Sequence, residues 1–174
     1  MKATGIVRRI DDLGRVVIPK EIRRTMRIRE GDPLEIFTEH DGYVIFKKYS
    51  PVGELYSFAD TLCEALYKSC SVPIIICDRD VVIACSGISK KESLEKKLPK
   101  ECERLLEDRS LYTYKSIDPP IEIASHYVSV LMPIIVSGDI VGGVILLKVA
   151  AQAPNELETK ITQAAASFLS KQLE

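Results

Sequence analysis

The chain of 174 residues contains no apolar run long enough to cross a membrane, which takes about 20 predominantly apolar residues. Its first residues, MKATGIVRR, lack the apolar segment that marks a secretory signal peptide. The composition, 46% hydrophobic and 28% charged, is typical of a globular protein. We therefore expect a globular protein of the cytoplasm that does not bind membranes.

The usual patterns of catalytic and metal sites are also missing. The sequence contains no HExxH, P-loop or Ser-His-Asp pattern, and no CxxC pair. An odd number of cysteines argues against a disulfide framework, so we expect free thiols that serve packing. We expect no bound metal, no cofactor and no catalytic residues, and hence not an enzyme. The five cysteines are Cys63, Cys70, Cys77, Cys85 and Cys102.

Charge is distributed unevenly, although the net charge is only −1. Residues 1–29 contain nine Lys and Arg against three Asp and Glu, whereas residues 30–50 contain two against five. The remaining residues, 51–174, contain 13 against 17. A basic N-terminal segment on a mildly acidic remainder indicates a polyanionic partner for that segment.

The first fifty residues have the pattern of short strands and turns. Residues 4–10 and 15–18 read as two strands, joined by a turn at 11–14. A short helix is expected at about 20–27, and Gly31 is expected to help end it. Such a small segment buries too little apolar surface to be stable alone, and it has no metal or disulfide. We therefore expect a dimer in which a second copy supplies the missing core.

A hairpin is predicted after this helix. Strands at 33–39 and 43–49 flank Asp41-Gly42, which is a strong signal for a two-residue type I′ turn. The cross-strand pairs expected for a two-residue loop are Phe37 with Phe46 and Glu35 with Lys48.

The second half of the chain has an α+β pattern with a central antiparallel sheet. Pro51 and Gly53 mark the boundary. The predicted order is a helix at 54–68, strands in VPIIICDRD and VVIACSG, a helix at 98–108, strands at about 126–136 and 140–149, and a last helix from Asn155. Both outer helices have apolar stripes close to heptad spacing, which fit either their own sheet or a helix bundle between subunits. The stripes are Leu55, Phe58, Leu62, Ala65 and Leu66 in one helix and Leu157, Ile161, Ala164, Phe168 and Leu169 in the other.

The N-terminal cations are candidates for a nucleic-acid interface. A charge run is usually a solvated face. Here most of the cations are arginines, whose planar fork suits phosphates and base edges, and a dimer would present two symmetric sets to duplex DNA. The candidates are Lys2, Arg8, Arg9, Arg15, Arg23 and Arg24.

The stretch GRVVIPKEIRR, residues 14–24, is the most specific motif of the chain. With its flanks, from Met1 to about Tyr49, it resembles the DNA-binding domain of the AbrB family of bacterial transition-state regulators. The resemblance implies a swapped-hairpin β-barrel of two interleaved chains and double-stranded DNA as partner. Carried over by position, it implies DNA binding by Arg8, Arg15, Arg23 and Arg24, with Lys2 and Arg9 as further phosphate contacts.

Residues 51–174 resemble a GAF domain, a module that often binds a small ligand. The chain lacks the ligand-binding signatures of such domains, so the resemblance implies oligomerisation and an unidentified small molecule at most. We expect domains at 1–50 and 56–174 with a linker at 51–55. The two-domain layout resembles AbrB-family regulators of sporulation genes. This implies a nucleoid-associated activator or repressor, according to the promoter, that forms tetramers as dimers of dimers.

Two other functions remain open. Swapped-hairpin domains also occur in antitoxins, which usually carry a short flexible acidic tail rather than a long folded segment. Some GAF-like domains reduce methionine sulfoxide with cysteines, and Cys77 and Cys85 lie on neighbouring predicted strands. Their flanks read as buried strand, and no basic residue obviously activates either thiol.

Overall fold

The computed structural model describes residues 4–174 and divides the chain into two compact units, unit 1 (Met1–Tyr49) and unit 2 (Ser50–Glu174). The helices and strands of unit 1 are α1 (Lys20–Thr25), β1 (Leu34–Thr38) and β2 (Val44–Lys48). Among the described residues of the chain, no helix is both long and apolar enough to span a bilayer.

The two strands predicted at 4–10 and 15–18 are not formed in the single chain. A turn does join them, with the Gly14 N–H donating to the Asp11 carbonyl over 3.0 Å. A strand needs a neighbour for its backbone groups, and among residues 4–49 only β1 and β2 form a ladder. Most apolar side chains of both segments remain exposed, with Val7 86% accessible, and Ile18 is partly buried. These segments have strand sequences but lack a strand partner within the chain.

The hairpin forms, but its register differs from the predicted one by a single residue. Ile36 pairs with Phe46 and Phe37 with Ile45. Glu35 pairs with Lys47, and Lys48 lies opposite Leu34.

The loop explains the shift. The Glu39 N–H donates to the Tyr43 carbonyl over 3.1 Å, which leaves three loop residues rather than two. Gly42 has φ 79°, whereas Asp41 does not take a positive φ. A type I′ turn needs positive φ at both central residues, so the chain forms the three-residue loop that ends in a left-handed glycine.

The helix α1 is shorter than predicted and ends before Gly31. Arg27 has φ 53°, and the Ile28 N–H donates to the Arg23 carbonyl over 2.8 Å. This bond across a left-handed residue is the Schellman ending, formed here by an arginine instead of a glycine. After the helix, the buried carboxylate of Asp32 lies 3.3 Å from Lys48 Nζ. This ion pair connects the segment after α1 to β2.

Unit 2 contains a six-stranded antiparallel sheet with helices on both faces, as predicted for an α+β domain. In chain order the elements are α2 (Pro51–Glu54), α3 (Tyr56–Cys70), β3 (Ile74–Cys77), β4 (Val82–Ser86), α4 (Lys90–Ser93), α5 (Lys100–Glu107), β5 (Tyr112–Thr113), β6 (Glu122–Ile123), β7 (His126–Val136), β8 (Asp139–Lys148) and α6 (Glu156–Gln172). The strand order is β4-β3-β8-β7-β5, with β6 paired to β7. Residues 51–55, the expected linker, include α2, and Val52 is fully buried.

Each face of the sheet has its own core because successive strand residues point to opposite sides. Ile75 and Cys77 of β3 pack with Leu106 of α5 on one face. Ile74 and Ile76 pack on the other face with Ala166 of α6. Unit 2 therefore has the substantial core that unit 1 lacks.

The start of α6 is fixed by a capping box. The Asn155 side chain accepts from the Glu158 N–H, and the Glu158 carboxylate accepts from the Asn155 N–H. The same carboxylate lies 2.9 Å from Lys148 Nζ at the end of β8. Both charges of this pair are largely buried, so it anchors the helix to the sheet.

The apolar residues of α6 lie on two sides of the helix. Ala165, Ala166 and Leu169 are buried against the sheet. Leu157 and Phe168, which belong to the predicted stripe, are 65% and 44% exposed. The Phe168 ring lies 5.5 Å from that of Phe58 on α3. The predicted stripe of α6 therefore lies mostly on its outer surface.

We predict that Ser125→Gly stabilises unit 2. Ala124 and Ser125 form the two-residue loop between β6 and β7, with φ 49° and 61°. A left-handed conformation costs a non-glycine residue about 1–2 kcal/mol, and glycine relieves this strain. Part of the relief is offset because glycine makes the unfolded chain more flexible. The free energy of unfolding should rise by roughly 0.5–1 kcal/mol in urea titrations followed by circular dichroism.

Ser110→Gly is the matched control, because Ser110 is exposed and does not take a positive φ. This variant should lose roughly 0.5 kcal/mol, since glycine relieves no strain there. Equal destabilisation of both variants would contradict strain at Ser125.

Candidate nucleic-acid interface

The arginines predicted to bind DNA are all exposed where the structure describes them. Lys2 lies outside the described residues. Three of these five arginines lie on two local structures, the turn at residues 11–15 and the helix α1, and the other two precede the turn. The exposed arginines are Arg8, Arg9, Arg15, Arg23 and Arg24.

Helix α1 holds Arg23 and Arg24 side by side in its last turn. Pro19 is the residue before the helix, and its carbonyl accepts from the Arg23 N–H over 3.0 Å. The fixed φ of proline suits this entry, so the corner between residues 15–18 and the helix has a defined backbone. Cations in the last turn also interact favourably with the negative end of the helix dipole. The structure therefore brings these two arginines together without burying either of them.

The turn between the two N-terminal segments holds Arg15. Asp11 Oδ1 accepts from the backbone N–H groups of Leu13 and Arg15, at 3.1 and 2.7 Å. Asp11 Oδ2 accepts from Arg15 Nε at 2.7 Å. Gly14 provides a positive φ of 77° inside the turn. Hydrogen bonds from the Arg15 backbone and then its guanidinium lower the pKa of Asp11, so this carboxylate stays ionised.

Arg8 and Arg9 precede the same turn. The Asp11 N–H donates to the Arg15 carbonyl over 3.0 Å, which places the chain before and after the turn side by side. Arg8, Arg9 and Arg15 therefore belong to one local structure, whereas Arg23 and Arg24 belong to α1.

Asp11 contributes to this region but is not among the candidate residues predicted from the sequence. Its pattern, an aspartate followed by a glycine three residues later, is that of a turn stabilised by its own side chain. Sequence could therefore indicate the turn. The contact with the Arg15 guanidinium required the structure.

The cysteines of unit 2 are poor candidates for redox chemistry. Cys77 and Cys85 are fully buried, and burial raises the pKa of both thiols. Burial also raises the pKa of the Cys102 thiol to about 12. Reactive cysteines need a stabilised thiolate and access to solvent, and these side chains have neither. Within residues 4–174, the structure gathers no group of three or more His, Cys, Asp or Glu side chains that could hold a metal ion.

Two families match the two halves of the chain. Residues 54–174 match the family described as "Stage V sporulation protein T C-terminal, transcription factor". Residues 7–53 match the family described as "Antidote-toxin recognition MazE, bacterial antitoxin". The boundary between these matches lies close to the boundary between the two units.

Two curated proteins of Bacillus subtilis (strain 168) are similar in sequence. Stage V sporulation protein T is 52% identical over an alignment of 183 residues that covers 100% of this chain and 99% of that protein. The transition state regulatory protein AbrB is 61% identical over 51 residues, covering 29% of this chain and 52% of AbrB. The similarity to AbrB confirms the resemblance to the AbrB family in the N-terminal part. The similarity to stage V sporulation protein T extends over the whole chain.

Solved structures share the fold of the second half. A type II free methionine-R-sulfoxide reductase from Thermoplasma acidophilum has a TM-score of 0.55 at 12% identity, covering 70% of this chain and 94% of that chain. The GAF domain of an Acinetobacter phosphoenolpyruvate-protein phosphotransferase has a TM-score of 0.53 at 13% identity, covering 68% of this chain and 81% of that chain. The predicted GAF-like fold is confirmed, and at such identities the likeness concerns the fold alone.

We predict that thiol labelling of the native protein at pH 8 is fast only at Cys70. This cysteine is partly exposed, whereas the other four are buried and therefore hold little thiolate. In the native state a maleimide reagent should modify about one thiol per chain, and in urea all five, as measured by mass spectrometry. Cys70→Ser should abolish the fast reaction. Fast modification of Cys77 or Cys85 in folded protein would instead favour a redox role.

Proposed function

Because the chain belongs to the stage V sporulation protein T family, we propose that it is a DNA-binding transcriptional regulator of sporulation genes, acting on the nucleoid in the cytoplasm. We further propose that unit 1 binds duplex DNA through its arginines and that it activates or represses according to the promoter. The observation that carries the proposal is the exposure of Arg8, Arg9, Arg15, Arg23 and Arg24 in the segment that is 61% identical to AbrB.

The chemistry of these arginines supports this role. A guanidinium presents donors in a planar fork that fits two phosphate oxygens or the O6 and N7 acceptors of guanine. None of these five arginines is buried, so their guanidinium groups can reach DNA without any rearrangement of the core. We propose that Lys2 adds a phosphate contact beside them.

We propose that unit 1 functions as a dimer of interleaved chains. Many of its apolar side chains are exposed, and large exposed apolar patches on proteins mark association surfaces. A second copy would supply strand partners to residues 4–10 and 15–18 and would double the arginines into two symmetric sets. The exposed apolar side chains include Ile6, Val7, Ile10, Val16, Val17, Ile36, Phe37, Val44 and Phe46.

We propose that unit 2 joins two such dimers into a tetramer. The outer surface of α6 presents Leu157 and Phe168. The Phe168 ring also contacts Phe58 of α3, which is partly buried against the core of unit 2. Helices with an outward apolar stripe at heptad spacing pack against the same stripe of another chain. The functional division is then DNA binding by residues 1–50 and oligomerisation by residues 56–174. Recognition of an unidentified small molecule by unit 2 is part of this proposal.

The antitoxin function has one observation in its favour, the match of residues 7–53 to an antitoxin family. That match covers only the N-terminal part of the chain. Unit 2 is a folded domain with two buried cores, which is unlike the short flexible tail of an antitoxin. A regulator with a second domain therefore fits the whole chain better.

We predict that Arg24→Ala weakens DNA binding and flattens its salt dependence. If Arg24 neutralises one phosphate in each protomer, the slope of log K against log salt should fall by roughly 1.8 per dimer, about 0.9 for each lost contact. Arg8→Ala and Arg23→Ala should mainly weaken binding to a preferred site, by about 1–3 kcal/mol per base contact. Fluorescence anisotropy at several salt concentrations, with a preferred and a scrambled duplex, measures both effects.

Arg104→Ala is the control for charge, because Arg104 is an exposed arginine on α5 of unit 2. It should leave the slope and both affinities unchanged. If all the arginine variants of unit 1 fold normally and behave like this control, the DNA-binding face lies elsewhere.

We predict that Phe168→Glu halves the mass of the assembly. Phe168 is 44% exposed in the single chain, so a charge there should disturb an interface more than the fold. Light scattering should show dimers in place of tetramers. Ser167→Glu adds the same charge at an exposed neighbouring position on α6 and should leave the mass unchanged. An unchanged mass for a folded Phe168→Glu would show that this side chain lies outside any interface.

A further inference from the structure

The turn that precedes Arg15 has an unusual feature for a surface that binds a polyanion. Its side-chain contacts all come from one carboxylate, that of Asp11. One oxygen of Asp11 holds the backbone of Leu13 and Arg15, and the other holds Arg15 Nε at 2.7 Å. A negative charge here opposes the approach of phosphates.

The pairing orients the guanidinium of Arg15. Nε is the donor nearest the side-chain stem, so a bond there fixes the plane of the group. The two terminal nitrogens carry the other four N–H donors and lie beyond the contact with Asp11. Arg15 also belongs to the same turn through its backbone N–H at 2.7 Å from Asp11 Oδ1. Backbone and side chain are thus held by one carboxylate.

Asp12 provides an internal comparison. It is the neighbouring acid, is exposed and carries the same charge. The turn is built by Asp11, whose two oxygens make the contacts with Leu13 and Arg15. Any effect of Asp11 beyond that of its charge must therefore come from these contacts.

We propose that Asp11 is a positioning residue for DNA recognition, and this inference rests on the proposed function of unit 1. It holds Arg15 in one direction, so that its terminal N–H groups meet DNA only where phosphate or base geometry suits that direction. At the same time its charge weakens binding to arbitrary DNA. Asp11 therefore increases the ratio of affinity for a preferred duplex to affinity for a random one.

The test compares Asp11→Asn with Asp12→Asn in the full chain. The preferred duplex is one selected by the wild-type protein from a random library, and the second duplex is a scrambled version. Asparagine keeps the acceptor for the backbone N–H groups but removes the charge that holds Arg15. Both variants should bind scrambled DNA more tightly than wild type. Only Asp11→Asn should lower the ratio of affinities, by roughly three- to ten-fold per dimer, as expected for a lost contact between exposed charges.

Arg15→Ala completes a double-mutant cycle. If Asp11 acts through Arg15, adding Asp11→Asn to Arg15→Ala should leave the affinity ratio unchanged, while scrambled DNA is still bound more tightly. Equal affinity ratios for Asp11→Asn and Asp12→Asn would overturn the inference and leave the proposed function intact. If Arg15→Ala itself has no effect on either duplex, both the inference and the placement of Arg15 in the DNA-binding face are wrong.

Folding of unit 1 is the remaining variable. Circular dichroism and sedimentation show whether Asp11→Asn keeps its structure and assembly state. If it does not, Asp11→Ser replaces it, because a serine hydroxyl accepts from the backbone N–H two residues later in the same kind of turn. The expected drop in the affinity ratio is the same, and an unchanged ratio in the folded serine variant overturns the inference.

Discussion

Unit 1 is short of buried surface, and this constraint shapes the whole protein. Among residues 4–49 of the single chain Pro19 is the only residue that is buried as a whole, while most of the large apolar side chains face solvent. So little burial contributes only weakly to the free energy of folding, which is why we propose that unit 1 depends on a second copy. In the proposed dimer every arginine is present twice and related by a two-fold axis. Duplex DNA offers phosphates with matching symmetry.

Much of the fold could be predicted from the sequence, and the errors have local physical causes. The hairpin was predicted from Asp41-Gly42, yet its register depends on whether Asp41 takes a positive φ, which it does not. The Asp-Gly sequence is compatible with both the two-residue and the three-residue hairpin loop, so it does not decide between them. The two strands predicted at 4–10 and 15–18 do not form in the single chain for another reason. Their sequence is suited to pairing, but a pattern in one chain does not show whether the partner strand belongs to that chain.

The candidate site was predictable in its residue types and less so in its contacts. Charge asymmetry and the motif at 14–24 both indicated the arginines, and the structure exposes each one that it describes. The burial of Cys77 and Cys85 was predicted from their apolar flanks and is confirmed. The pairing of Asp11 with Arg15 could not be predicted, because an exposed contact between residues four apart depends on the turn conformation. The composition gives the number of charged residues but does not show that these two are in contact.

Unit 2 has two buried cores, yet its helix α6 also leaves apolar side chains exposed. Small and buried side chains, Ala165 and Ala166, let the helix lie close to the sheet, while Leu157 and Phe168 project outward. Heptad spacing alone does not distinguish these two sides. A domain with two complete cores does not need the outward residues for its own folding, so their cover is expected to come from another copy. Each unit thus leaves apolar surface exposed in the single chain, and in the proposed tetramer the number of arginine sets that could meet DNA is greater than in the dimer. Linked binding sites gain affinity without any new contact, so in the proposed tetramer interfaces far from the arginines would affect how tightly the protein binds DNA.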